Sequence, residues 1–431
     1  MKRVGNLWNK FISKENFRLA WYKTALGRRD RKDVQEFEKN LEQNLEKIRQ
    51  EVIAEKFTTS KYSTKQIFEN GKHRLIYILP LKDRIVHHAI NNIIEDIFVK
   101  GFIQHTYGCI KDRGPLAGSY RLRKLIMKNN YCLKTDIKKF YPTVDQQILY
   151  DEVCKKIKDV KLLKIIKDII FSFPGGKNCP IGNLTSQLFG NIYLNKLDKL
   201  LKHKIKVKDY CRYCDDCVIL SNSKEQLFVI QKLIHEFVDA ELKQSMSYSE
   251  VFHTKQGIDF LGYRHFRGYT ILRKRTAKKF KRAVLDIIKN RDKRPFLQQL
   301  CTLNSYKGYA KHCYTYNLIR SLDLDNLIKN MSIKEFKNVG PKPEFPMTGT
   351  KISILTLIDK PIIVTSWKPC KINNENSNKL QFIFADNEKD TQLHITFTRS
   401  KVVEKQLQQI NLEDFPFKTV IKKNGNSFYL D

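Results

Sequence analysis

Two adjacent carboxylates stand in the middle of an apolar run, YCRYCDDCVIL, at residues 210–220. The flanking residues are typical of a buried hairpin, where charged side chains are costly unless they are paired or bound to a metal. A divalent cation would remove both the burial penalty and the repulsion between Asp215 and Asp216. Because Mg²⁺ prefers a few carboxylates together with phosphate oxygens of a substrate, the run predicts a magnesium site at the tip of a hairpin.

A third carboxylate, Asp136, ends a short apolar strand in the segment NYCLKTDIKKFYPTVD. Taken alone, an aspartate in this position is more typical of a turn after a strand. Two-metal chemistry on phosphates needs about three such ligands, since one ion activates an attacking 3′-hydroxyl and the other stabilises the leaving pyrophosphate. Together with the paired aspartates, Asp136 therefore predicts nucleotidyl transfer.

The composition indicates a polyanionic partner. The 431 residues carry 80 Lys and Arg against 45 Asp and Glu, a formal net charge of +35. Residues 341–431 hold 13 basic and 10 acidic side chains, so nearly all of the excess lies in the first 340 residues. Counterion release from phosphates favours a basic surface of this size, which indicates nucleic acid; a basic protein that coats membranes or ribosomes is the alternative.

Cysteine usage and hydropathy bear on the compartment. No stretch approaches the ~18 apolar residues of a membrane span, and the first residues, MKRVGNLWNKF, do not resemble a secretory signal. Ten scattered cysteines suit a reducing cytoplasm. Cys211, Cys214 and Cys217 have a metal-like spacing, but we interpret them as packing residues, with a zinc or iron–sulfur site as the alternative.

The periodicity places helices and strands around these residues. Residues 33–57 form one amphipathic helical stretch, and a strand ends near Pro80 before a helix from about Asp83. The remaining predictions are a strand at 131–135, helices at 146–170, 183–203 and 224–242, hairpins at 208–220 and 248–272, and basic helices over 276–338. Pro and Gly in VGPKPEFPMTGT mark a boundary, after which short β-rich runs such as KISILTLI and KLQFIFA predict a small β-domain.

Several motifs resemble those of reverse transcriptases. YCDD at 213–216 resembles the Tyr-x-Asp-Asp box, and DIKKFY at 136–141 resembles the first aspartate motif. Further similarities are PIGNLTSQLFGNIYLNKLD at 180–198 to the intervening motif, GIDFLGYRHF at 257–266 to the primer grip, and GKHRLIYILPLKDRIVHHAI at 71–90 to the fingers. The resemblance covers about residues 1–320 and implies RNA-directed DNA synthesis from dNTPs on a template RNA and a DNA primer strand.

The resemblance also implies roles for individual residues. Asp136, Asp215 and Asp216, with the carbonyl of Ile137, would bind two Mg²⁺ ions, for which Mn²⁺ could substitute. Nucleotide contacts would come from Lys72 and Arg74 on the fingers, from Gly182 and Gln187, and from Tyr141 as a steric gate against a ribose 2′-hydroxyl. The alternatives are a solvated strand edge for Lys72 and Arg74, and a core tyrosine for Tyr141.

Among reverse transcriptases, the sequence is most similar to the branch of diversity-generating retroelements. The beginning of the chain, IGNLTSQ with Gln187, and SYKGYAKHCYTYNL at 305–318 carry that similarity. It implies cDNA synthesis that is error-prone at adenines, and a small basic accessory protein. A reverse transcriptase of a phage-defence or retron-like system and a non-catalytic nucleic-acid-binding scaffold remain alternatives.

The expected fold is α+β, a right-hand polymerase with an added domain. Residues 1–125 would form an N-terminal helical segment and fingers, 126–270 a palm with an antiparallel sheet, and 271–340 a helical thumb. Residues 341–350 would be a linker and 351–431 a β-rich domain compatible with an OB-like barrel, where aromatic residues could stack on bases or fill a core. On the thumb, the following basic side chains would follow the duplex: Arg273, Lys274, Arg275, Lys278, Lys279, Lys281 and Arg282. The alternative is that this run of charges is only a solvated face.

Overall fold

A computed structural model shows two compact units, residues 1–280 with 310–315 and residues 281–309 with 316–431. The described residues are 3–69, 72–290, 295–330, 334–335, 350–351, 354–359, 361–372, 375–385, 394–398, 401–410, 417–424 and 427–431. The expected mixture of helices and antiparallel sheets is confirmed. No helix within those ranges is both long and apolar enough to cross a membrane.

The helices of the first unit form most of its mass. They are α1 (Trp8–Phe11), α2 (Lys14–Ala25), α3 (Lys32–Lys39), α4 (Leu41–Ile53), α5 (Leu81–Val99), α6 (Pro115–Ile126), α7 (Phe140–Thr143), α8 (Gln146–Cys154), α9 (Val160–Phe171), α10 (Leu184–Lys199) and α11 (Lys224–Leu242). Ser13, Asp145, Asp159 and Ser223 each cap a helix by accepting a hydrogen bond from a backbone N–H three residues on. The helical stretch predicted over 33–57 is confirmed in large part as α3 and α4, but Asn40 (φ −127°, ψ 46°) separates the two helices and α4 ends at Ile53.

Three antiparallel sheets complete the first unit. Their strands are β1 (Ser63–Glu69), β2 (Lys72–Ile78), β3 (Tyr131–Ile137), β4 (Asp209–Tyr213), β5 (Asp216–Ser221), β6 (Met246–His253), β7 (Ile258–Phe260), β8 (Tyr263–His265) and β9 (Thr270–Leu272). β1 pairs with β2, the central sheet has the order β4-β5-β3-β6, and β7-β8-β9 form a third sheet. The hairpin predicted over 248–272 is therefore wrong in part, since β6 pairs with β3.

Helix α10 is the centre of the first unit. Twelve of its 16 residues are buried, and it packs against α5 and α8. A helix that is buried on nearly all sides needs apolar or paired side chains around its circumference. A short π-helical turn, Leu200–Lys204, ends it and leads into β4. Helix α10 thus fixes the position of the hairpin that carries Asp215 and Asp216.

The remaining helices are α12 (Lys274–Lys289), α13 (Phe296–Ala310), α14 (Tyr316–Ser321), α15 (Leu324–Asn330) and α16 (Lys401–Leu407). The strands of the second unit are β10 (Lys334–Glu335), β11 (Thr350–Lys351), β12 (Pro361–Ile372), β13 (Glu375–Ala385), β14 (His394–Thr398), β15 (Phe417–Asn424) and β16 (Ser427–Leu430). They form one sheet of order β10-β15-β12-β13-β14-β11, with β16 beside β15. The strand predicted from KISILTLI is wrong in part, since Ile354–Leu357 form a 3₁₀ helix.

Candidate active site

The three predicted carboxylates lie at one edge of the central sheet. In the β4–β5 hairpin Tyr213 pairs with Asp216, which places Asp215 in the turn between the strands. Strand β3 runs antiparallel to β5, and Thr135 pairs with Cys217. Asp136, one residue further along β3, therefore lies beside Asp216 although the two are far apart in the chain.

Burial and mutual repulsion act on these carboxylates. Burial, and then the negative charge of Asp136, raise the pKa of Asp215 to about 6. Burial also raises the pKa of Asp216 to about 6, with Asp136 acting in the same direction and the nearby Lys134 opposing it. Each group therefore holds its charge less readily than an exposed aspartate, and a cation bound between them would lower both pKa values.

The site suits a divalent cation by its charge and by one unsatisfied atom. Oδ1 of Asp216 is buried and has no hydrogen-bond partner, and hard oxygen ligands of this kind are those that Mg²⁺ prefers. Within the described ranges, no three His, Cys, Asp or Glu side chains lie together in a way that could hold a metal ion as they stand. The fit to a metal ion thus depends on the charge and burial of the carboxylates.

Lys134 and Ser247 each contact one oxygen of a site carboxylate, Lys134 on Asp216 and Ser247 on Asp136. Nζ of Lys134 lies 3.4 Å from Oδ2 of Asp216 and donates a hydrogen bond to the carbonyl of Asp259 at 2.6 Å. Ser247 Oγ donates to Oδ2 of Asp136 at 2.7 Å. These contacts orient Asp136 and Asp216 while they leave Oδ1 of Asp216 without a partner.

A buried ion pair supports the hairpin from behind, and our sequence reasoning missed it. Arg212 on β4 and Asp198 on α10 are 1% and 0% exposed. Nε of Arg212 donates to Oδ1 of Asp198 at 2.8 Å, and its Nη1 donates to the carbonyl of Cys214 at 2.8 Å. Burial by itself lowers the pKa of Arg212, but the charge of Asp198 and its hydrogen bonds more than reverse that effect. Arg212 therefore fixes the backbone directly before Asp215.

The hydroxyl groups of two further residues complete this buried network. Tyr210 donates to Oδ1 of Asp198 and Thr106 donates to Oδ2 at 2.9 Å. The sequence signal was an acidic residue in the apolar-rich segment LNKLDKLL and a basic residue in DYCRYC, although each segment also carries other charges. Such charges are buried only when they are paired, so each should have prompted a search for a partner.

The predicted nucleotide residues Tyr141, Gly182 and Gln187 line one cavity of about 400 Å³. Tyr141 follows β3 in the short helix α7 and packs against Gly190, where an added Cβ would lie 3.3 Å from the tyrosine ring. Burial, with the nearby Asp215 as a smaller contribution, raises the pKa of Tyr141, so its hydroxyl stays protonated. The structure thus brings these three residues together next to the carboxylates.

Gly182 makes a close backbone contact. Its φ is +121°, and a Cβ at this position would lie 2.0 Å from the carbonyl oxygen of Tyr77 on β2. The preceding residue, Ile181, accepts a hydrogen bond from the N–H of Tyr77 at 2.7 Å. Only glycine fits here, because the segment before α10 is locked against β2. The close approach to template that we expected for Gly182 stays a prediction.

A family model described as reverse transcriptase (RNA-dependent DNA polymerase) matches residues 60–265. These residues belong to the reverse transcriptase family. The matched range begins before β1 and ends in β8, so it contains all three carboxylates together with Tyr141, Gly182 and Gln187.

Curated proteins are similar to parts of this chain. The chain is 26% identical over 246 residues to Protein YkfC of Escherichia coli, covering 46% of this chain and 64% of that protein. It is 29% identical over 170 residues to the Retron Ec73 reverse transcriptase of Escherichia coli, covering 36% and 52%. It is 22% identical over 282 residues to the Group II intron-encoded protein LtrA of Lactococcus lactis subsp. cremoris, covering 48% and 47%. The chain thus spans less than two thirds of each relative.

In this reverse transcriptase domain, β2 carries the predicted fingers residues. The positive charge of Arg74 acts on Asp215 and lowers its pKa, against the larger effect of burial, so the structure places Arg74 near the carboxylates. Lys72 begins β2, and its side chain lies outside the described residues.

The predicted nucleic-acid residues divide into two groups. Phe280, Val284 and Ile287 form the buried face of α12. Six of the predicted residues are exposed on this helix: Lys274, Arg275, Lys278, Lys279, Lys281 and Arg282. Arg273 differs, because its Nε is buried and lies 4.0 Å from Oδ1 of Asp259. Its charge acts on Asp216, so Arg273 belongs to the surroundings of the carboxylates.

The part that follows the reverse transcriptase domain has its own match. Residues 348–431 match a model described only as a domain of unknown function. The side chains of the aromatic residues that could stack on bases or fill a core, Trp367, Phe382, Phe384 and Phe397, lie outside the described residues. The OB-like topology and the boundary at 341–350, of which only Thr350 is described, stay predictions.

Proposed function

We propose that this chain is an RNA-directed DNA polymerase, a nucleotidyltransferase that extends a DNA primer strand with dNTPs on a template RNA. The observation that carries the proposal is the convergence of Asp136, Asp215 and Asp216 at one sheet edge, within residues matched to the reverse transcriptase family. An acidic cluster in a chain of net charge +35 is otherwise without purpose, since a basic binding surface has no use for it.

In this proposal the carboxylates of Asp136, Asp215 and Asp216, with the carbonyl of Ile137, hold two Mg²⁺ ions, for which Mn²⁺ can substitute. When bound, such ions activate the primer 3′-hydroxyl and stabilise the leaving pyrophosphate. Lys134 and Ser247 keep two of the carboxylates oriented, and Arg212 keeps the turn before Asp215 in place.

The remaining residues of the site would bind and select the substrates. Tyr141 excludes a ribose 2′-hydroxyl, and Gly182 and Gln187 lie next to the nascent base pair. Lys72 and Arg74 bind the triphosphate, for which a guanidinium offers two parallel donors. The six exposed cations of α12 follow the phosphates of the duplex, whereas Arg273, which was expected to do the same, lies among the surroundings of the carboxylates.

We also propose the right-hand arrangement for this chain. Residues 1–125 would contain the fingers, 126–270 the palm and 271–340 the thumb, followed by a linker at 341–350 and a β-domain at 351–431. Supporting this assignment, the antiparallel sheet β4-β5-β3-β6 carries the carboxylates, and the basic helix α12 follows the last strand of the first unit.

Two biological settings follow from different observations. The similarity of the region around Gln187 to diversity-generating retroelements supports cDNA synthesis that is error-prone at adenines, in the cytoplasm and with a small basic accessory protein. The match to the Retron Ec73 reverse transcriptase supports a retron-like or phage-defence system instead.

Primer extension by the full chain on an RNA template tests the proposal. We expect Mg²⁺-dependent incorporation of dNTPs that Asp215→Asn abolishes, while Lys32→Gln, a change on the exposed face of α3, leaves it intact. Binding of RNA without any incorporation would favour a non-catalytic scaffold. Sequencing of the products separates the two settings, because accurate copying opposite adenine contradicts the diversification proposal.

A further inference from the structure

The first unit has a second cavity, of about 410 Å³, at the end of the central sheet that is opposite to the carboxylates. Its wall comes from α6, from the connection between β8 and β9, and from residues 311–314. Arg267 in that connection donates a hydrogen bond to Oδ1 of Asn130 at 3.0 Å, and Asn130 directly precedes β3. Asp136 lies near the other end of β3, roughly 17 Å further along at ~3.3 Å per residue. The second cavity is therefore separate from the candidate active site.

Aromatic rings with exposed faces line the second cavity. Phe266 and Tyr269 are stacked, with ring centroids 4.7 Å apart and an angle of 12° between the rings. Tyr314 meets Tyr269 edge-on at 6.3 Å. Tyr269 is 47% and Tyr314 is 71% exposed, so much of each ring is left in water. Exposed rings that cluster around a concave surface are typical of a binding site.

Backbone hydrogen bonds hold these rings in position. The N–H of Phe266 donates to the carbonyl of Tyr269 at 2.9 Å, and the N–H of Tyr314 donates to the carbonyl of Thr270 at 2.7 Å. The second bond fixes residues 311–314 against the beginning of β9. Because the wall is already ordered, little conformational entropy is lost when a ligand binds to it. Contacts with the rings can therefore contribute to affinity.

The charged groups of the second cavity are cationic. The guanidinium of Arg123 lies 5.2 Å from the centre of the Tyr120 ring and donates a hydrogen bond to the carbonyl of His312. Lys311 is exposed in the wall. None of the described residues that line this cavity is acidic. An unpaired nucleotide matches such a wall, because its flat base can stack on the rings and its phosphate can approach the cations.

We propose that the second cavity binds an unpaired nucleotide of single-stranded RNA. The choice of RNA rests on the proposed polymerase function, because the part of a template RNA that is not being copied is single-stranded, whereas the new DNA strand is paired with its template. Stacking on aromatic side chains tolerates any base. The second cavity would thus hold RNA at a distance from the site of synthesis without selecting its sequence.

The test measures binding of a fluorescent oligouridylate to the full chain by anisotropy. An excess of blunt RNA–DNA duplex is present, so that the proposed active site is occupied. We expect the double variant Tyr269→Ala with Tyr314→Ala to bind oligouridylate about tenfold more weakly or worse, because it loses the rings on which a base stacks. Tyr269→Phe with Tyr314→Phe keeps both rings and should bind like the wild type. The control is Tyr22→Ala on α2, which removes a tyrosine that is 54% exposed.

Cross-linking locates the RNA without any variant. Iodouridine placed in the oligouridylate should cross-link, on irradiation of the wild type, to Tyr269 or Tyr314. Cross-links at other residues alone would overturn the inference. So would an alanine double variant that binds oligouridylate like Tyr22→Ala, or one that loses affinity for the duplex alone. Binding of oligothymidylate but not of oligouridylate would assign the cavity to a DNA strand and would overturn it too.

Primer extension by the same proteins separates this inference from the proposed function. If the wild type extends primers while the alanine double variant binds oligouridylate normally, the RNA site fails and the polymerase function stands. If oligouridylate cross-links to Tyr269 or Tyr314 while the wild type never extends a primer, the RNA site stands and the polymerase function fails.

Discussion

Asp198→Asn is the change that we expect to damage this fold most without touching a proposed metal ligand. It leaves the guanidinium of Arg212, which is 1% exposed, in the interior without its counter-ion. Removal of one partner of a buried ion pair costs about 3 to 5 kcal/mol. The same change on the surface serves as the control: Glu42→Gln breaks the pair with Arg18, whose side chains are 58% and 63% exposed, and should cost less than about 1 kcal/mol.

The double variant Asp198→Leu with Arg212→Met separates the charge effect from the positioning effect. Because it leaves no buried charge, its cost should come mainly from the hydroxyls of Tyr210 and Thr106, which lose their acceptor, at about 1 kcal/mol each. The double variant should therefore be more stable than the sum of the two single changes predicts, by at least about 3 kcal/mol. Its primer extension should nevertheless stay low, since nothing donates to the carbonyl of Cys214.

Urea unfolding followed by intrinsic fluorescence gives the free energies, and primer extension gives the activity. An Asp198→Asn protein that unfolds within about 1 kcal/mol of the wild type would refute the energetic reasoning. A stable double variant with full activity would refute the role of Arg212 in holding the turn before Asp215.

The other predictions concern the carboxylates and the cavity. The pKa of Asp216 is raised to about 6. In the presence of a metal chelator, the stability that protonated Asp216 contributes is therefore fully present below about pH 4 and is lost as the pH rises through about 6. The side chain of Asp216 is 28% exposed, and the free energy of unfolding of Asp216→Asn should therefore rise relative to the wild type by on the order of 1 to 2 kcal/mol between pH 5 and pH 8. Mg²⁺ should cancel this gain. Urea midpoints of the two proteins that do not diverge with pH would contradict the prediction. Gly182→Ala should lower the free energy of unfolding by several kcal/mol, roughly the upper range for single changes, because its Cβ would lie 2.0 Å from the carbonyl oxygen of Tyr77. A thermal midpoint equal to that of the wild type would argue against this contact. Tyr141→Phe should still reject ribonucleotides while Tyr141→Ala accepts them, which single-nucleotide incorporation measures; equal rejection by both assigns Tyr141 to the core.

The sequence predicts elements well where local signals suffice. The helix expected over 224–242 is observed as α11, because Ser223 caps it and apolar residues follow at helical spacing. The hairpin expected over 208–220 is β4 and β5, since its apolar strands flank a polar turn. The convergence of Asp136 with this hairpin follows from the strand order, which local periodicity does not specify and which the family resemblance supplied.

The sequence does not predict which strands or charged residues pair when they lie far apart in the chain. Strand β6 satisfies the same alternation whether it pairs with a following strand or with β3, and only the packing of the whole sheet selects β3. Asp198 and Arg212 each look like a polar residue in an amphipathic element. Their partnership exists only because α10 lies beneath the hairpin, and it becomes visible only in three dimensions.

The buried ion pair also explains how adjacent carboxylates stay available for cations. Without Asp198, the guanidinium of Arg212 would be the natural counter-ion for Asp215, which it already stabilises slightly. Asp198 binds two of its nitrogens, so the arginine acts mainly as a rigid donor to the carbonyl of Cys214. Lys134 pairs with Oδ2 of Asp216, while Oδ1 of Asp216 is left without a donor. A fold that neutralises its structural charge internally in this way keeps its functional charge for the substrate and its ions.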